Sequence, residues 1–266
     1  MKVSSAHCSV LSWNVWSIAN EEKLLNFLQI IEDNQIDIAC VTETWFDRKT
    51  GPFSRTIKSL GFKIHHAYRE DKRGGGCAVI YKNNLSVKEG EASTTDFSSF
   101  EFSYATLSLK TGRKLIIICI YRKQEICFKL FYEEFMNFMD KRSNMNGTLL
   151  VVGDFNVWGE DTEDNDTTML LDLMNAYGLV QSITEPTHRD GHTLDHAYFN
   201  PYQIECPYMI IDSAGFTSDH LPIVFQVPYC NVVDNTKTVF YRKLIKDIDM
   251  EGFREDLKKA VDNNQL

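Results

Sequence analysis

Thr148-Leu149-Leu150-Val151-Val152-Gly153-Asp154-Phe155-Asn156 is an apolar run that ends abruptly in an acid and an amide. A run this short, with no polar alternation, predicts a strand buried on both faces, as in α/β sheets covered on both sides. Asp154 and Asn156 are two residues apart, so an extended backbone points both to one face. Ligand chemistry in open α/β sheets collects at strand carboxyl ends. Gly, Asp and Asn are also good turn formers, and an Asx-turn is an equal reading of the same residues.

Similar signals extend in both directions. Ser9 to Val15 reads as a first strand closing on Asn14. Asn20 is an N-cap candidate for a helix from Glu21 to Asp33, with Leu24, Phe27, Leu28 and Ile31 on one face. Ile36 to Thr42 reads as a buried strand ending at Glu43. A loop with Gly51 and Pro52, a short helix or turn, and a strand from Phe62 to Tyr68 follow. Gly74-Gly75-Gly76 suits either a hairpin turn, the favoured reading, or a backbone approach to phosphate. The strand Cys77 to Tyr81 comes next. Phe100, Phe102, Tyr104 and Thr106 alternate with polar or small residues and predict a half-exposed antiparallel strand. Leu115 to Tyr121 predicts a buried strand, and Cys127 to Asp140 an amphipathic helix whose Phe128, Phe131, Phe135 and Phe138 form a core stripe. Thr168 to Tyr177 reads as a helix closed by Gly178, and further strands fit Leu194–Phe199, Tyr208–Ile211 and Ile223–Val227.

The 266 residues suit one large α/β domain or two small ones and are ample for a sizeable core. Hydrophobic and charged shares of 43% and 24% are those of a globular protein. A net charge of -9 argues against a protein that coats nucleic acid, yet is compatible with a nuclease whose metal site gathers carboxylates. The seven cysteines include no Cys-x-x-Cys pair and lie mostly in apolar runs, the pattern of buried thiols. No apolar run approaches bilayer length and Met1 to His7 carries no signal region, so an intracellular, membrane-free protein is expected. A domain over residues 1–228 is expected, followed by a charged, partly helical tail over 229–266 with a helix from Ile248 to Val261.

Polar residues end or flank the buried strands: Asn14, Glu43, Tyr121, Asp154 with Asn156, Asp195, then Asp219 with His220. Each alone is an ordinary cap, turn residue or half-buried aromatic. Together they supply oxygen ligands for a divalent cation, a histidine with acid partners, and a phenol, all expected at strand carboxyl ends. That inventory suits metal-assisted phosphodiester cleavage. His188, His192 and His196 have zinc-like spacing, but the Arg189-Asp190-Gly191 between them argues against the helix such a site needs. The acidic loop from Glu160 to Asp166 lacks calcium-hand features and reads as solvated.

In order, Ser12-Trp13-Asn14-Val15, Thr42-Glu43-Thr44-Trp45, Gly74-Gly75-Gly76, Tyr121-Arg122, Gly153-Asp154-Phe155-Asn156, Pro186-Thr187-His188, Thr193-Leu194-Asp195-His196 and Ser218-Asp219-His220-Leu221-Pro222 are carried by the chain. Over about Ser9 to Val227 it thereby resembles the endonuclease/exonuclease/phosphatase superfamily. More narrowly, it is similar to the apurinic-type endonuclease domain of non-LTR retrotransposons of the jockey and chicken-repeat kind. Arg242-Lys243-Leu244-Ile245-Lys246-Asp247 is similar to the connector that precedes the reverse transcriptase in those elements.

The resemblance implies a four-layer α/β sandwich, two mixed β-sheets face to face with helices outside. It implies a Mg2+ site, with Mn2+ as a substitute, on Glu43, Asn14 and Asp219. Asp154 would position or deprotonate water, Asn156 would hold water and phosphate, and Tyr121 would lie near the phosphate. His220 would bind the scissile phosphate, oriented by Asp195. Thr187 and Ser218 would be lesser substrate positions, and Arg122, Lys123, Arg69, Lys72, Arg73 and Arg189 candidate backbone contacts. The implied activity is nicking of double-stranded DNA in the nucleus, leaving a 3′-hydroxyl that primes a following reverse transcriptase. Alternatives are a phosphatase or phosphodiesterase acting on RNA ends or phospholipid headgroups, and a non-catalytic DNA-binding remnant. Two positions depart from the pattern. Trp16 stands where many relatives carry an acid or amide, and Lys123-Gln124 replace the usual prolines.

Overall fold

The computed structural model describes residues 7–47, 51–69, 74–109, 112–212 and 218–228. The elements in chain order are β1 (His7–Asn14), α1 (Glu21–Asp33), β2 (Ile38–Thr42), α2 (Gly51–Ser59), β3 (Phe62–His66), β4 (Cys77–Lys82), β5 (Val87–Ser93) and β6 (Phe100–Ser108). They continue with β7 (Lys114–Arg122), α3 (Phe128–Arg142), β8 (Thr148–Asp154), α4 (Asn165–Ala176), β9 (Val180–Gln181), β10 (Asp195–Phe199), β11 (Tyr208–Ile210) and β12 (Ile223–Pro228). The expected tail, with its helix from Ile248 to Val261, lies outside the described residues, as do Lys72 and Arg73.

Two mixed six-stranded sheets form, in the orders β11-β12-β1-β2-β4-β3 and β5-β6-β7-β8-β10-β9. Val10, Cys40, Val79 and Phe225 of the first sheet share one apolar cluster with Leu107, Ile117, Val152 and Ala197 of the second. That cluster is the inner core, and two outer clusters complete the four layers. Leu24, Phe27 and Ile30 of α1 and Ile57 of α2 pack on the far face of the first sheet. The Phe128, Phe131, Phe135 and Phe138 stripe of α3, with Leu170 and Met174 of α4, packs on the far face of the second. Truncating one of these fully buried phenylalanines to alanine costs about 3–5 kcal/mol.

Local chemistry sets the helix ends. The Asn20 side chain accepts the Lys23 N–H at 2.9 Å, and Glu21 and Glu22 occupy the positive end of α1. Gly51 and Pro52, read from sequence as loop, are the first turn of α2, where proline is well tolerated. Asp164 accepts the Thr167 N–H at 2.9 Å and starts α4 at Asn165, three residues before the sequence reading. Cys8, Cys40, Cys77, Cys119 and Cys206 are buried free thiols. No helix among the described residues is long and apolar enough to cross a membrane.

Strand β6 differs in part from expectation. Its alternation holds from Tyr104 on, where part-exposed Tyr104, Thr106 and Ser108 alternate with buried Ala105 and Leu107, but at its start both faces are covered: Phe100 and Phe102 pack with α3 while Glu101 and Ser103 turn inward, all buried. The cause is that α3 packs over the outer face at this end of the strand while the first sheet stacks over the inward one.

Candidate active site

Strand register lines up the polar residues. Glu101 pairs with Tyr121, Tyr121 with Asp154, and Asp154 with Asp195, so one row crosses four strands of the second sheet. Residues in such a row point to the same face, about 4.8 Å apart. The first sheet brings Asn14 at the end of β1, Glu43 just beyond β2, and His220 just before β12. The sequence reading put all of these at strand carboxyl ends. That holds for Asn14, Tyr121 and Asp154, whereas Asp195 starts its strand and Asp219 and His220 precede theirs. Because β10 and β12 run antiparallel to β8 and β1, their amino ends meet the same end of the sandwich.

The expected extended geometry of Asp154 and Asn156 is replaced by a turn. Asn156 has φ of 49°, and its N–H donates to Asp154 Oδ1 at 3.0 Å. The Asx-turn and the functional reading therefore coexist: Oδ1 shapes the turn while Oδ2 accepts the Asn14 amide at 2.9 Å. Asn156 Nδ2 donates to the Arg122 carbonyl at 2.8 Å. Asp154 Oδ2 lies 4.0 Å from His220 Nε2, and His220 Nδ1 lies 2.7 Å from Asp195 Oδ2. Asp195 Oδ1 is buried without a hydrogen-bond partner.

The electrostatics follow from these contacts. Burial pushes the Asp154 carboxyl up, and Asp195 adds to the rise against the pull of His220. Burial works against the His220 imidazolium, but Asp195 and then Asp154 outweigh it and raise its pKa to about 10. A protonated His220 makes its 3.4 Å contact with Asn14 Nδ2 a meeting of two donors, leaving Nε2–H to acceptors in the cleft. Burial, then Glu43, raises the Tyr121 hydroxyl, which hydrogen-bonds Glu43 and feels Asp154 as well.

Glu43 is held tightly. Its Oε2 accepts the Gly75 N–H at 2.8 Å and the Trp45 indole N–H at 2.5 Å. The glycine loop thus approaches carboxylates, and Gly76 N–H donates to Glu101 Oε2 at 2.7 Å. Asp219, half exposed, accepts from His188 Nε2 at 3.2 Å. Burial would raise its carboxyl, but His220 and His188 outweigh this and lower it. His188 also stands edge-on to His220, ring centres 4.9 Å apart.

Asn14, Glu43, Tyr121, Asp154, Asp195 and His220 thus converge, with Asn156 joined through the Asp154 turn and Asp219 through His188 and His220. Of the expected substrate contacts, Thr187, Ser218, Arg122, Lys123 and Arg69 each have partners within the protein. Thr187 Oγ1 is buried and accepts from Leu194 N–H and Asp195 N–H at 3.0 and 2.9 Å. Buried Ser218 Oγ donates to the Asn14 carbonyl at 2.6 Å. Arg122 donates to the Asn156 and Ile126 carbonyls, and Lys123 to the Ser98 carbonyl at 3.1 Å. Arg69 pairs with Glu101. The three histidines at zinc-like spacing go separate ways. His188 joins Asp219, His192 joins Glu160 at 2.7 Å, and His196 is buried against Tyr198 and the Val157 carbonyl.

The sequence reading missed Glu101, His188, and Trp45 as an indole donor. Only register could have found Glu101, because nothing in Phe100-Glu101-Phe102 sets it beside Tyr121. For a metal, Glu43, Asn14 and Asp219 carry the oxygen donors that hard divalent cations prefer, but Asn14 Oδ1 also accepts the Trp16 N–H, and Asp219 lies with His188 and His220. Five carboxyl groups (Glu43, Glu101, Asp154, Asp195 and Asp219) stand at this end with two imidazoles, and Arg69 and Lys123 are taken up by Glu101, so the remaining acids leave a place for an added cation.

Residues 11–220 match the profile of the Endonuclease/Exonuclease/phosphatase family. Comparison with curated proteins finds no match. Among solved structures, the endonuclease domain of TRAS1, a telomere-specific non-LTR retrotransposon, is 15% identical with a TM-score of 0.64, covering 84% of this chain and 99% of its own. The human Nocturnin catalytic domain is 19% identical with a TM-score of 0.65, covering 85% and 94%. An AP endonuclease from Archaeoglobus fulgidus is 18% identical with a TM-score of 0.62, covering 82% and 98%. At these identities the likeness is one of fold.

Proposed function

Because the chain belongs to the endonuclease/exonuclease/phosphatase family, whose enzymes hydrolyse phosphodiesters or phosphate esters with divalent metals, we propose that it is a Mg2+-dependent DNA endonuclease. The observation that carries this reading is the contact set Asp195–His220–Asp154–Asn14, with Tyr121 and Glu43 alongside.

Asp154, raised by burial and oriented by the Asn14 amide, takes a proton from water, whose oxygen attacks phosphorus. The bond from phosphorus to the 3′ oxygen breaks, and that oxygen takes a proton from a solvent water, leaving a 3′-hydroxyl opposite a 5′-phosphate and a hydroxide that the proton on Asp154 neutralises. His220, kept charged by Asp195, presents Nε2–H to the non-bridging oxygens as their charge grows. Glu43, Asn14 and Asp219 are the residues that would hold Mg2+ or Mn2+, which when bound supplies further positive charge against the phosphate and leaving oxygen. In the nucleus, ahead of a reverse transcriptase on the same polypeptide, the new 3′-hydroxyl would prime synthesis. The similarity of the tail to such a connector supports this context.

A plasmid-nicking assay with and without Mg2+ tests the proposal. The chain should convert supercoiled plasmid to open circles only with the cation, and Asp154→Ala or His220→Ala should each lose at least about 100-fold while remaining folded. Parallel arms with polyadenylated RNA and a phosphoinositide decide the substrate. Turnover of either in preference to plasmid would replace the DNA reading, and undiminished nicking in a folded mutant would refute the roles.

A further inference from the structure

Glu101 carries a carboxylate with no solvent exposure in the same strand row as Tyr121, Asp154 and Asp195. Its Oε1 accepts from Arg69 Nε at 2.6 Å, with Lys123 Nζ at 3.9 Å, and its Oε2 accepts the Gly76 N–H at 2.7 Å. The preceding amide, Gly75 N–H, goes to Glu43. Two consecutive amides of one turn therefore hold two carboxylates side by side.

The turn needs such a hold. Gly74, Gly75 and Gly76 all have positive φ, 95°, 67° and 95°, so the segment is intrinsically free and loses much entropy when fixed. A β-carbon on Gly75 would run into the Arg69 guanidinium, and one on Gly76 into Thr44 Oγ1. The absence of side chains is what lets the turn lie against both groups. Its other tethers are the Thr44 and Trp45 N–H groups, which donate to the Gly76 and Gly75 carbonyls at 3.3 and 2.9 Å. A buried ion pair is seldom a net source of stability, since desolvation offsets most of its attraction. Stability alone therefore accounts poorly for Arg69 and Glu101.

We propose that Glu101, braced by Arg69, is a positioning residue that fixes the Gly74–Gly76 turn so that Gly75 and Trp45 aim the Glu43 carboxylate at its cation. The assignment rests on the metal reading of Glu43 given above. Outer partners of metal ligands orient them, and their loss typically weakens metal affinity 10- to 100-fold.

The test is Mn2+ binding to the full chain without DNA, by calorimetry, together with thermal melting. The variant Arg69→Met with Glu101→Leu removes both charges of the short ion pair, leaving Lys123 to its bond with the Ser98 carbonyl and the Gly76 N–H without its acceptor. It should melt near wild type yet bind Mn2+ 10- to 100-fold more weakly, approaching Glu43→Gln. If that pair melts early, Glu101→Asp, which keeps its charge beside Arg69 but shortens the reach to Gly76, is read in the same way. A folded variant that binds Mn2+ like wild type overturns the positioning role and leaves the metal site standing. A wild-type chain that binds no Mn2+ overturns the metal reading itself, and this inference with it.

Discussion

His220 Nδ1 meets Asp195 Oδ2 at 2.7 Å across the junction of the two sheets, Asp195 opening β10 in one and His220 preceding β12 in the other. Asp195→Asn should lower the His220 pKa from about 10 toward 6.5 and reduce nicking by at least about 100-fold. The sign of the stability effect is fixed. A histidine raised on folding contributes stability in full below pH 6.5 and loses it as pH climbs through about 10. The gap between wild type and Asp195→Asn in urea melts should therefore be widest near pH 6 and narrow toward pH 10. Imidazole NMR titration checks the pKa directly, and an unmoved His220 would leave Asp195 without its assigned part.

Gly153, one residue before Asp154, has φ of 136°, and a β-carbon there would overlap the Ile120 carbonyl on β7. Gly153→Ala must either push β7 and β8 apart or bend the strand that aims Asp154. A loss of about 3 kcal/mol or more in urea unfolding is expected, because the clash is with backbone. A loss below about 1 kcal/mol would show slack between these strands.

How far the chain could be read without coordinates depended on how local each signal was. The α1 cap at Asn20 and the phenylalanine stripe of α3 are written in neighbouring residues, and both stand where expected. Short strands such as β9, two residues long, carry no periodicity to read. Asn14, Glu43, Asp154, Asp195 and His220 were legible because motif order carries across families. Glu101 was hidden because its partners arise from register between strands, and the bonds of Arg122 and Lys123 to backbone carbonyls could not be read from sequence for the same reason.

Thr187 and Ser218 provide a test of such internal bonds. Thr187 Oγ1 takes two backbone amides at the start of β10. Thr187→Val should cost about 2–4 kcal/mol, since orphaned buried donors cost about 1–3 kcal/mol each and some relaxation is expected. The KM for plasmid in the folded fraction should stay within about twofold, while kcat falls as Asp195 shifts. A raised KM at unchanged stability would return Thr187 to the substrate. Ser218→Ala should behave alike and more mildly, losing its bond to the Asn14 carbonyl.

Trp16 is the departure from the family pattern closest to the metal side. It is half exposed at φ of 43°, and its N–H donates to Asn14 Oδ1 at 3.1 Å, a bond any residue there can make. The left-handed conformation costs a non-glycine residue about 1–2 kcal/mol, and asparagine tolerates it best. Against this, the indole gains from Lys23 Nζ, 4.7 Å above the ring, an exposed contact of about 0.5–1 kcal/mol. Strain outweighs that contact, so Trp16→Asn should stabilise the chain by about 0.5–1 kcal/mol in urea melts. The new amide oxygen sits beside Asn14, so Mn2+ binding should tighten or hold. A destabilised variant would show that the indole, and not the backbone it distorts, governs this corner of the site.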